Sequence, residues 1–138
     1  MEWRSEKVSF QISADKLDFD AVRDALSMEP ALCRKKEDFP PASWERGLAK
    51  DLCLFSTLFC EVPAGDDPGS ILNSLLDSLI GKEKVINELK EKYRASTRFV
   101  VTFSTFRNPQ IRFPERCLDF LCATQTPLDV DSYVYQTD

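Results

Sequence analysis

At 138 residues, 43% of them apolar and 30% charged, the chain has the size and composition of one domain folded around a real core. Intrinsic disorder would need fewer apolar residues and a more one-sided charge. The net charge of -5, from 18 basic and 23 acidic side chains, argues against a general nucleic-acid binder and suits either plain solubility or a basic partner.

The charged start, Met1 to Lys7, runs straight into a strand pattern, where a secretory leader would carry an apolar stretch. The most apolar run, Leu52 to Cys60, is too short to cross a bilayer as a helix. These features predict a cytoplasmic protein with no membrane contact. Cys33, Cys53, Cys60, Cys117 and Cys122 are odd in number and have no two-residue spacing, which reads as reduced and mostly buried thiols. Histidine is absent, which disfavours zinc and removes Cys-His and Ser-His catalysis. Only four glycines are present, and none builds a phosphate loop. The expectation is a protein that is not an enzyme, with no catalytic residue, no metal site and no cofactor.

In chain order, Val8, Phe10 and Ile12 alternate with Ser9, Gln11 and Ser13 as a half-buried strand. Asp18 is a predicted N-cap for a helix with Phe19, Val22, Ala25, Leu26 and Met28 as its apolar stripe, ended by Pro30. Residues 31–51, with Arg34-Lys35-Lys36, Pro40-Pro41, Trp44 and Gly47, show no period and read as one long connection. Leu52 to Val62 is apolar on both sides, as suits a strand near the middle of the layers. Asp67-Pro68 signals a helix start, and the helical period then runs from Leu72 to Tyr93. Gly81 either divides that helix or weakens one long one. Phe99, Val101 and Phe103 mark another strand, and Gln110 to Phe113 reads as its hairpin partner after Asn108-Pro109. Pro114 opens a helix with Cys117, Leu118, Leu121 and Cys122 as its inner face, and Leu128 to Tyr135 forms the last strand.

The order β-α-β-α-β-β-α-β predicts a single α+β domain over 1–138. It is a two-layer sandwich whose five-stranded sheet is mostly antiparallel or mixed, with helices on one face.

Three stretches carry a family resemblance: Phe10-Gln11-Ile12 to Leu17-Asp18; Leu26 to Pro30 with Lys36-Glu37-Asp38; and Leu128-Asp129-Val130-Asp131-Ser132-Tyr133. In these the chain resembles the bacterial domain-of-unknown-function family numbered 4279, over roughly residues 8–135. It departs from the family pattern at Cys53, where a tryptophan is usual, and at Glu37, where a loop glycine is usual. The resemblance implies a fold rather than an activity.

Asp129, Asp131, Tyr133 and Tyr135 fall on one strand face, since side chains alternate with period two. Paired carboxylates suit a cation or acid-base chemistry, but no third ligand accompanies them, and an acidic edge strand resists sheet-to-sheet pairing. Tyrosines beside acids suit a protein contact. Arg94, Arg98, Arg107, Arg112 and Arg116 precede an all-acidic stretch, so they either pair with it or form an anion-gripping face. Arg98 to Phe103 has a superficial likeness to an RNA-recognition strand but lacks its glycine. The functional expectation is a non-enzymatic protein-binding domain, in its most concrete form an immunity-type protein that neutralises a basic, co-encoded toxin. Asp129, Asp131, Tyr133, Tyr135 and Trp44 are the predicted contacts. The alternative is a small-ligand-binding or enzymatic domain using the open sheet face.

Overall fold

The computed structural model describes residues 3–47, 49–56, 60–63, 70–105 and 112–134, with backbone alone for 3–5, 60–63, 70, 105 and 134. Its elements run β1 (Trp3–Ala14), α1 (Phe19–Leu26), β2 (Leu32–Arg34), a 3-10 turn (Lys36–Asp38), α2 (Pro41–Glu45), β3 (Asp51–Ser56), β4 (Cys60–Pro63), α3 (Ser70–Leu79), α4 (Glu83–Tyr93), β5 (Ser96–Thr105), α5 (Glu115–Thr124) and β6 (Leu128–Val134).

The sheet is five strands wide, in the order β2-β3-β1-β5-β6. β4 is a further segment on the β3 side, pairing with Trp3–Glu6 of β1 while β3 pairs with Ser9–Ala14. Every pairing is antiparallel except β5 with β6, so the sheet is mixed, in an α+β fold as predicted. The parallel pair follows from α5, a crossover that returns the chain to run alongside β5.

One sheet face carries Val8, Phe10, Ile12, Cys53, Phe55, Phe99, Val101 and Phe103, all buried. The helices cover it with Val22, Leu26, Leu72, Leu76, Leu79, Ile86, Cys117 and Phe120. Phe10 and Phe120 meet edge to face at 5.9 Å between ring centres.

Several expectations are corrected in detail. The 31–51 segment is not one structureless connection: it adds β2 to the sheet edge and holds a 3-10 turn and the one-turn helix α2. Three residues are too few to display a period, which is why β2 leaves no trace in the pattern. In the predicted hairpin strand, Gln110 and Ile111 lie outside the described residues, and Arg112 and Phe113 are not in a strand. Among the described residues, β2 is the strand that brings the path to five. The helix start at Asp67-Pro68 also lies outside the described residues.

Asp18 caps α1 as expected, accepting from the Ala21 amide at 3.1 Å. The helix stops at Leu26, before Pro30 can act, because Ser27 turns left-handed at φ 53°. Gly81 does divide the long helical run. Its φ of +96° ends the path of α3, and Glu83 Oε2 accepts from the Gly81 amide at 2.9 Å.

The inner face of α5 is Cys117, Phe120, Leu121 and Thr124, while Leu118 and Cys122 are exposed. Both stripes have helical spacing. The observed one wins by burying the larger Phe120, and Thr124 can join it because its hydroxyl donates to the Phe120 carbonyl at 2.9 Å.

That hydroxyl begins a buried chain. With the Thr124 proton committed to Phe120, the 2.7 Å contact between Thr124 and Thr126 must have Thr126 as donor. Thr97 must in turn donate to Thr126, also at 2.7 Å. The relay Thr97→Thr126→Thr124→Phe120 therefore runs one way, and it ties the end of α5 to β5 where β6 begins.

Candidate functional site

The sheet face away from the helices carries alternate residues of each strand. In register they form rows: Ser9 beside Ser56 and Val100, with Asp129 next to Val100; Lys7 beside Thr102, with Asp131 next; and Ser104 beside Tyr133. Leu52, Leu54, Val100, Thr102 and Ser104 are half-buried here, while Arg98, Asp131 and Tyr133 are exposed.

Asp129, Asp131 and Tyr133 thus do share one face of β6, the outermost strand on that side. Tyr135 lies outside the described residues. Asp129 forms an ion pair with Arg98 on β5, so part of the acidic face is neutralised. Of the other arginines, Arg116 pairs with Asp77 at 2.6 Å and donates to the Asn73 side chain at 2.7 Å, Arg94 caps α4, and Arg107 lies outside the described residues. Arg98 and Arg116 are thus engaged by acids on different elements, Asp129 of β6 and Asp77 of α3.

Trp44 is not brought to this face of β6. It sits in α2, between β2 and β3, and β2 is the opposite edge of the sheet, four strand spacings or about 19 Å away. Lys36 Nζ stands 5.9 Å above its ring, and the Arg34 guanidinium stacks 4.3 Å over Phe39, so two of the three clustered cations order their own segment. Asp51 fixes that segment to the body. Its carboxylate accepts from the Leu17 amide at 3.0 Å and from the Lys36 amide at 2.9 Å, clamping the β1–α1 turn to the 3-10 turn.

Sequence reading missed a concavity of about 390 Å³ lined by Asp15, Lys16, Lys50, Lys92, Tyr93 and Arg94. It collects four cations and one acid at the end of β1, the start of β3 and the end of α4, in a chain of net charge -5. No stretch of sequence is basic enough to announce it, because each segment contributes one or two charges. Part of that charge serves α4 itself, since cations favour a helix C-terminus.

Among the described residues no three His, Cys, Asp or Glu side chains are grouped to hold a metal ion, and no helix is long and apolar enough to cross a membrane. Cys53 and Cys117 are buried, whereas Cys33 and Cys122 are exposed, so the thiols are less uniformly buried than the composition implies. No curated protein and no solved structure matches the chain. The family described as "Domain of unknown function (DUF4279)" matches residues 2–135, nearly the whole length, and the protein belongs to that family.

Proposed function

We propose that this is a non-enzymatic, cytoplasmic protein-binding domain that docks through β6 and the adjoining open sheet face. The observation that carries the reading is the exposure of two large side chains on opposite faces of one edge strand, Val130 at 45% and Tyr133 at 58%. Among the described residues β6 has a neighbouring strand on one side only, and an edge strand offers unpaired main-chain groups to a partner. The exposed Asp131 beside Tyr133 and the net charge of -5 favour a basic partner, and a toxin neutralised by an immunity-type protein is the most specific form of the proposal. A photo-crosslinking residue placed at 133 is expected to capture one protein in native cells, with the same residue at Glu88 on α4 capturing none. Asp131→Lys and Tyr133→Ala should each weaken the purified complex at least about tenfold, as central interface side chains do. Equal labelling from both positions, or unchanged affinity in both variants, would refute it.

A second reading rests on the basic concavity. Four cations around one hollow favour a phosphate- or carboxylate-bearing small ligand there. Inorganic phosphate and ATP are expected to raise the melting temperature of the wild type but not of Lys16→Glu/Lys50→Glu. No shift in the wild type sinks it.

A further inference from the structure

We propose that Cys33 and Cys53 are a redox modification site, which a peroxide converts from two thiols to a cross-strand disulfide. The two residues are direct partners in the antiparallel pairing of β2 with β3. Directly opposed Cα atoms in such a pair stand about 4.5–5.5 Å apart, within the span a disulfide tolerates. The sulfurs already face each other at 3.9 Å, so closing the bond asks for side-chain rotation and no movement of the strands.

The two thiols are unequal. Cys33 is exposed on a three-residue edge strand, while Cys53 is fully buried behind it. Burial, and then the neighbouring Cys33, push the Cys53 thiol up to about 12, so it keeps its proton and does not meet the oxidant first. Cys33 is the sulfur a peroxide reaches. Its thiolate takes one oxygen atom: an S–O bond forms, the O–O bond breaks, and the departing hydroxide is protonated to water. Cys53 then attacks the Cys33 sulfur and gives up its proton. The S–S bond forms, the S–O bond breaks, and a second water leaves. Two thiols and one peroxide become one disulfide and two waters, and a reducing dithiol reverses the step by exchange.

The bond would fasten the sheet edge that holds α2 and Trp44. The proposal is independent of any partner at β6, at the far edge. Its test treats the full chain with hydrogen peroxide, alkylates the remaining thiols and maps the peptides by mass. The expected product is an intrachain Cys33–Cys53 link, reversed by dithiothreitol, with Cys117 left alkylated. In Cys53→Ser the Cys33 sulfenic acid should persist and react with dimedone, whereas Cys33→Ser should leave Cys53 unoxidised. A link from Cys33 to any other cysteine or to a second chain overturns the proposal, as does oxidation of Cys33 to sulfinic acid in the wild type with Cys53 still alkylated.

Discussion

The one-way hydroxyl relay makes valine substitutions at Thr97, Thr124 and Thr126 unequal, although all three threonines are buried and the exchanges are nearly isosteric. Thr97 stands at the donating end. Removing its hydroxyl leaves Thr126 short of an incoming bond but strands no proton, which costs about 0.5–1.5 kcal/mol, the net worth of one hydrogen bond. Removing the Thr126 hydroxyl strands the Thr97 proton, and removing the Thr124 hydroxyl strands that of Thr126. A buried donor without an acceptor costs about 1–3 kcal/mol. Thermal denaturation should therefore rank Thr97→Val as mildest, with the other two lower by several further degrees, at roughly 3 °C per kcal/mol for a domain of this size. The sharper measurement is the double variant. Thr97→Val/Thr126→Val has no stranded proton and should be about 1 kcal/mol more stable than Thr126→Val alone in urea titrations. If the second valine instead adds to the loss, or if Thr97→Val is as damaging as the others, the assigned direction is wrong.

Asp51→Ala should lower stability by about 2–4 kcal/mol, since two amides lose a charged acceptor, and hydrogen exchange should quicken at Leu17 and Lys36 above all. Gly81→Ala is expected to cost about 1–2 kcal/mol despite open space around a new Cβ, because φ is +96° there; Gln125→Gly, at φ 49°, should gain up to about 1 kcal/mol. Chemical denaturation separates the two signs. Because the Cys53 thiol is raised in the fold from its ordinary 9.0 to about 12, the neutral form is favoured by folding. Its contribution is whole below pH 9 and is lost as pH climbs from there toward 12, so the wild type should weaken over that window more steeply than Cys53→Ala.

Periodicity carried the reading wherever one element alone decides. β1, the Asp18 cap and the shared face of Asp129, Asp131 and Tyr133 were legible because alternation and capping need no knowledge of neighbours. Strand direction was not legible. Nothing in Leu128 to Val134 distinguishes a parallel partner, and the Arg98–Asp129 pair exists only because β6 lies beside β5. α5 shows the limit within one element: two apolar stripes fit its spacing, and only the packing of Phe120 against Phe10 selects between them. The concavity and the Asp51 clamp join segments far apart in the chain, and local pattern is silent about both.

The position of β1 in the middle of the sheet also sets a timetable. Of the described strands, the one made earliest is the one that needs the most neighbours, and its longest pairing, Ser5–Ser104 to Ser13–Ser96, joins residues about 80–100 apart. During synthesis, β1 emerges with its apolar face bare and waits for β3, then for β5, before both of its edges are occupied. Folding should accordingly be slow for so short a chain. The nascent protein is exposed to aggregation at Val8, Phe10 and Ile12 until nearly the whole domain has left the ribosome.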